Sequence, residues 1–119
     1  MQEKKCVLVC DDDSSILDAC RLVLSMHYHV ETATTCENIV QEIRRIKPGI
    51  ILMDVLIPGG GEKAVNLIHQ TEGIKEIPII LFSAVHNIKE INKRIKATAI
   101  LEKPFDINTL LKTIKDNII

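Results

Sequence analysis

Three adjacent aspartates, Asp11, Asp12 and Asp13, stand directly after a short apolar run, and a fourth, Asp54, follows another. Ser83 closes a third such run, and Lys103 stands just beyond a fourth. Carboxylates gathered in one place repel one another unless a cation lies among them. A hard, all-oxygen set with few protein ligands suits Mg2+, or Mn2+. A metal and a lysine together neutralise charge on a phosphoryl group in transfer. A carboxylate is also a competent nucleophile that forms an acyl phosphate, and a serine hydroxyl can donate a hydrogen bond to a phosphoryl oxygen. Brought together, these residue types support metal-assisted phosphoryl transfer onto an aspartate.

The order of elements decides whether they meet. Cys6 to Cys10, Val30 to Ala33, Ile50 to Met53, Ile77 to Phe82 and Ala99 to Leu101 are short apolar runs of strand type. Between them lie helical stripes. Ile16, Ala19, Cys20, Val23 and Leu24 recur at helical spacing behind Ser14 or Ser15 as a cap. Thr34 and Glu37 are spaced as a capping box ahead of Ile39, Val40, Ile43 and Ile46, and Lys47-Pro48-Gly49 ends that helix. A third helix is predicted from Glu62 to Thr71 and a short fourth through Ile88, Ile91 and Ile95. Asp106 caps the fifth, with Ile107, Leu110, Leu111, Ile114 and Ile118 on its apolar side. Strict alternation of strand and helix predicts an α/β fold, a parallel sheet of five strands with five helices on both faces. The 20 Ile and the absence of Trp agree with strands buried on both sides. Strand order is not readable from alternation, but in such sheets the ligand site lies beyond the carboxyl ends of the strands. The first strand then delivers Asp11 to Asp13, the third Asp54, the fourth Ser83 and the fifth Lys103.

Each residue alone has a plainer role. The Asp run could cap the first helix, a lone Asp after a strand is commonly turn chemistry, and Ser83 and Lys103 are ordinary singly. Their coincidence at four strand ends is what favours chemistry. The chain of 119 residues fits one domain, spanning 1–119. Its net charge of −1, with acids and bases mixed, gives no footprint for nucleic acid, and no apolar stretch is long enough for a bilayer. The start lacks a signal-peptide layout, and Cys6, Cys10, Cys20 and Cys36 form no CxxC pair. Buried thiols in the reducing cytoplasm are therefore expected. His27, His29, His69 and His86 make no ligand pair, and Gly59-Gly60-Gly61 lacks the Lys-Ser/Thr of a Walker loop. It reads as a mobile link that lets backbone approach the site. Three aspartates and few aromatics exclude a flavin site.

The combination Val9-Cys10-Asp11-Asp12, Leu52-Met53-Asp54 with Pro58 four residues on, Leu81-Phe82-Ser83-Ala84 and Lys103-Pro104-Phe105 resembles the response-regulator receiver domains of two-component signalling. The resemblance spans essentially the whole chain. It implies a flavodoxin-like sheet of order 2-1-3-4-5, and Mg2+ held by Asp11, Asp12, Asp54 and the backbone carbonyl of Leu56. It implies Asp54 as phosphoacceptor, Ser83 as switch hydroxyl, Lys103 as phosphate partner, and a cis Lys103–Pro104 bond. The implied donor is a histidine kinase or phosphotransfer protein. The implied output runs through the face of the fourth and fifth helices to a downstream domain or protein, with phosphorylation-dependent dimerisation as one form of it. In this family's geometry Leu56 and Val85, two residues after Asp54 and Ser83, flank the path of the water that removes the phosphate.

Three departures stand out: Gly61-Glu62 replaces the usual Asp-Gly, Ile100 replaces the aromatic switch residue, and the segment from Ser83 to Lys103 is short and lacks the usual Gly-Ala. A rival reading is a haloacid-dehalogenase-type phosphohydrolase with Asp11 as nucleophile, Asp13 as acid and Ser83 and Lys103 in support. It leaves Asp54 idle and lacks an acidic pair after the lysine.

Overall fold

The computed structural model describes residues 4–119. Strands β1 (Cys6–Cys10), β2 (His29–Ala33), β3 (Ile50–Met53), β4 (Ile79–Ser83) and β5 (Ala99–Glu102) alternate with helices α1 (Ser14–Leu24), α2 (Ile39–Ile46), α3 (Gly61–His69), α4 (Ile88–Ile95) and α5 (Ile107–Asn117). All strand pairs are parallel, and the order is β2-β1-β3-β4-β5. The α/β class expected from alternation and the 2-1-3-4-5 order implied by the resemblance both hold.

Every residue of β3 and β4 is buried, as strands covered on both faces require. Successive side chains of a strand point to opposite faces, so the chain builds two cores. Leu8, Ile51, Met53 and Leu81 pack with Ile43 of α2, Ile68 of α3 and Ile91 of α4. Val7, Val9, Leu52, Ile80 and Phe82 pack with Leu17 and Leu24 of α1 and Leu110 and Ile114 of α5. The winding direction reverses between β1 and β3, and in open parallel sheets ligands bind beyond the carboxyl ends of the strands at such a switch point.

Several local expectations need correction. The cap of α1 is Asp13, whose carboxylate accepts from the Ser15 amide at 2.9 Å, and not Ser14 or Ser15. The buried stripe of α1 is Leu17, Cys20 and Leu24, while Ala19 is exposed. The Thr34–Glu37 capping box does not form, and α2 starts without a side-chain cap. Instead the Thr35 hydroxyl accepts from the Glu37 amide and donates to the Pro58 carbonyl, both at 3.3 Å. The Cys36 amide donates to the same carbonyl at 2.9 Å, so this segment ties down the loop after β3 rather than serving its own helix. Helix α3 begins at Gly61 and ends at His69, short of Thr71. Strand β4 begins at Ile79, so Pro78 precedes it and gives its carbonyl to the Ile51 amide at 3.0 Å. Asp106 does cap α5, accepting from the Thr109 amide at 2.8 Å, but Ile107 is exposed.

All four cysteines are free; Cys10, Cys20 and Cys36 are buried and Cys6 is half-buried. Burial pushes the Cys20 and Cys36 thiols up to about 11, so they stay protonated at neutral pH. Among the described residues no helix is long and apolar enough to cross a membrane.

Candidate functional site

The sheet ladder carries the polar residues to one edge. The Asp11 amide donates to the Ala33 carbonyl at 3.0 Å, the Asp54 amide to Cys10 at 3.0 Å, and the Lys103 amide to Ser83 at 2.9 Å. Each of these residues is thus anchored to a neighbouring strand, and its position does not depend on loop packing. Asp11, Asp54, Ser83 and Lys103 all meet there, as the sequence predicts.

Asp11 is fully buried. Its Oδ1 accepts from the Asp13 amide at 2.9 Å and its Oδ2 from Lys103 Nζ at 2.5 Å. Asp54 is 6% exposed. Its Oδ1 accepts from the Ser83 hydroxyl at 2.9 Å and the Leu56 amide at 3.1 Å, and its Oδ2 lies 3.3 Å from Lys103 Nζ. Buried carboxylates are strongly unfavourable unless paired and hydrogen-bonded, and one ammonium serves both. Burial works to lower the Lys103 pKa. The hydrogen bond to Asp11 and the charges of Asp54 and Asp11 outweigh it, so the net shift is upward from 10.5. The lysine is therefore charged at neutral pH. Its Nζ also stands over the Phe82 ring, 4.6 Å from the centroid.

Carboxylate oxygens of Asp11, Asp12 and Asp54 come within 4.8 Å of one another. Asp12 is exposed, so this cluster opens towards solvent on one side. The donors are all hard oxygens, and each carboxylate oxygen has more than one lone pair, so their existing hydrogen bonds leave acceptor capacity. The set fits a small divalent cation that keeps some of its water. Asp13 is not part of it, because its carboxylate caps α1. Leu56 meets the site through its backbone, with its side chain 65% exposed. The Lys103–Pro104 bond is cis, as the resemblance implies.

Two residues have a part at the site that the sequence reading does not give them. Gly61 is buried, and a Cβ there would run into the Asp54 carbonyl oxygen and lie 2.8 Å from Val55 Cα. The glycine run, read from the sequence as a mobile link, is therefore closely packed at Gly61, where backbone meets backbone behind Asp54. Only Phe82, the second omission, could have been suspected earlier, as one of two Phe in the chain and the neighbour of Ser83.

A switch-point edge that groups a nearly buried aspartate with a hydroxyl, a lysine and an acidic pair fits the class of phosphoacceptor signalling domains. The sequence model of the response regulator receiver domain family matches residues 7–115, and the chain belongs to that family. Protein PilH of Pseudomonas aeruginosa is 32% identical over 112 residues, spanning 91% of this chain and 93% of PilH. The chemotaxis response regulator CheY4 of Vibrio cholerae superposes with a TM-score of 0.86 at 28% identity, covering 97% of this chain and 99% of that one. The receiver domain of the sensor histidine kinase PA1611 of P. aeruginosa shares the fold, with a TM-score of 0.86 at 23% identity over 96% and 97% of the two chains. That structure has a magnesium ion coordinated in its active-site cleft.

The chain is thus a receiver domain of two-component signal transduction, a signalling domain of a family that binds Mg2+ at its acidic site. The phosphohydrolase alternative is not supported. The family match runs against it, and Asp11, its nucleophile, is fully buried with both oxygens engaged.

Proposed function

We propose that Asp54 is the phosphoacceptor and that Asp11, Asp12, Asp54 and the Leu56 carbonyl hold Mg2+, or Mn2+, beside it. The observation that carries this reading is the asymmetry between the two buried aspartates. Asp11 is locked by Lys103 at 2.5 Å, whereas Asp54 Oδ2 has only the longer contact at 3.3 Å. Asp54 is also the carboxylate that Ser83 and the Leu56 amide both address.

An Asp54 oxygen attacks the phosphorus of a phosphohistidine on a kinase or phosphotransfer protein. The new O–P bond forms as the P–N bond breaks, and the leaving imidazole keeps the electron pair and takes a proton. A metal held by Asp11, Asp12 and Asp54 would supply charge neutralisation at the phosphoryl oxygens. Lys103 adds a second positive charge there, and the Ser83 hydroxyl transfers its hydrogen bond from Asp54 to a phosphoryl oxygen. That shift at the end of β4 is read on the face of α4 and α5 by a downstream domain or protein. Residues 1–119 act as one receiver unit in the cytoplasm, and its paired, phosphorylated form is one route to output.

Mg2+ titration of wild type and Asp12→Ala tests the metal set without any turnover. Loss of one carboxylate weakens binding at least about tenfold. Unchanged affinity in that variant would contradict the assignment.

A further inference from the structure

We propose that Phe82 is a positioning residue whose ring face holds the Lys103 ammonium between the Asp11 and Asp54 carboxylates. This inference rests on Asp54 as phosphoacceptor and adds a group to that site.

Lys103 Nζ lies 2.5 Å from Asp11 Oδ2, 3.3 Å from Asp54 Oδ2 and 4.6 Å from the Phe82 centroid. An ammonium has three donors, and two are directed to carboxylates. The ring takes another side, and the lysine side chain is only 14% exposed, so little of the ammonium is left to water. A cation over an aromatic face within about 6 Å is attracted to it, and the more so when desolvated.

The unequal carboxylate distances give the ring its purpose. Asp11 draws the ammonium most strongly, and a four-carbon stem is flexible enough to follow. A third attraction on the ring side keeps the charge at this edge, where it can serve the acceptor as phosphoryl charge develops. A leucine would fill much of the same volume but offer that side of the ammonium nothing.

The ring is itself well fixed. Phe82 is fully buried on β4, one residue before Ser83, and its ring lies 6.2 Å from that of Phe105, tilted by 43°. The chain has two Phe and no Trp, and both Phe meet beside Lys103. A ring used only for bulk and a ring used for its negative face can be separated chemically. Fluorine on the ring drains the face of negative charge while nearly preserving shape.

Site-specific replacement of Phe82 by mono-, di- and trifluorophenylalanine supplies the series, with Phe82→Leu as the ring-free variant. Phosphorylation by acetyl phosphate in Mg2+ is followed by intact mass. The rate at saturating donor should fall stepwise, about three- to tenfold across the series, with little change in KM. In metal-free, lysine-labelled wild type the Lys103 ε-methylene resonances should be shifted upfield by the ring current and lose that shift in Phe82→Leu. A rate flat across the fluorinated series, with wild type phosphorylated normally, would overturn the proposal and leave Asp54 standing. Absence of the upfield shift in wild type would overturn it as well. If wild type takes up no phosphoryl group, the acceptor assignment fails and this proposal with it.

Discussion

At the scale of single residues, the site is a problem of charge balance. Asp11 is fully buried, and among the described residues its one cationic partner is Lys103. Lys103→Ala therefore strands a buried carboxylate, at a cost of about 3–5 kcal/mol. Mg2+ should restore part of that loss, so the Tm gap to wild type narrows as the metal is added, while phosphorylation-driven switching stays impaired. Thermal melts across an Mg2+ series check this, and a gap indifferent to Mg2+ would count against the balance. Lys103→Arg should not rescue switching, because a planar fork cannot take the place of a compact ammonium between two carboxylates and a ring. Since the Lys103 pKa is raised, its stabilising contribution is complete below 10.5 and is lost only as pH rises through the folded-state value. The ion pair is accordingly constant through the neutral range.

With Asp54 as the proposed acceptor, two further side chains are expected to bear on how long the phosphate stays. Leu56 is exposed beside Asp54, and Val85 is half-buried against the core shared with α4. Neither can orient a water, so hydrolysis lacks positioning that polar groups would provide. The phosphorylated chain should decay slowly, and Leu56→Asn with Val85→Glu should speed the decay. Following phosphate loss in both proteins decides the matter; equal lifetimes would remove these positions from the account.

At the scale of elements, Gly61 links the start of α3 to the acceptor. A Cβ there would meet the Asp54 and Val55 backbone, so Gly61→Ala must push β3's end aside, at about 1–3 kcal/mol, and displace Asp54. Gly60 differs: its φ of 88° strains any other residue, yet a Cβ there meets only Lys63 Cβ at 3.6 Å. Gly60→Ala should lower Tm while leaving phosphorylation near wild type, whereas Gly61→Ala should slow phosphorylation as well. Equal phosphorylation rates in the two variants would contradict the distinction.

The same contrast shows what was legible beforehand. Unbroken apolar strand runs and the apolar stripes of α2 and α4 state their own burial, so Ile43, Ile88, Ile91 and Ile95 were readable. Strand-end chemistry was readable too, because a parallel sheet puts Asp11, Asp54, Ser83 and Lys103 at one edge whatever their loops do. Caps were less so. Asp13, Ser14 and Ser15 are all competent caps, and only the register of β1 leaves Asp13 free for α1 while Asp11 turns inward. The box expected of Thr34 and Glu37 is not made, because the Glu37 amide goes to the Thr35 hydroxyl, itself tied to the Pro58 carbonyl 23 residues away. Gly61 could not be told from Gly59 or Gly60 without the contact that defines it.

At the scale of the molecule, one sheet edge serves two cores. α1 and α5 cover one face and α2, α3 and α4 the other, so a change at the end of β4 and β5 reaches both. Ile100 on β5 packs against the α2–α4 side, and α4 is only eight residues long, anchored by three buried isoleucines. The proposed acceptor chemistry stands apart from this variation, because Asp11, Asp54, Ser83 and Lys103 are anchored at the sheet edge. Its most direct test is Mg2+-dependent phosphorylation by acetyl phosphate, followed by intact mass and peptide mapping, in wild type and Asp54→Ala. The account predicts one phosphoryl group on wild type, mapped to Asp54, abolished by chelation and absent from Asp54→Ala. A phosphoryl group on Asp11, or one retained in Asp54→Ala, would contradict it.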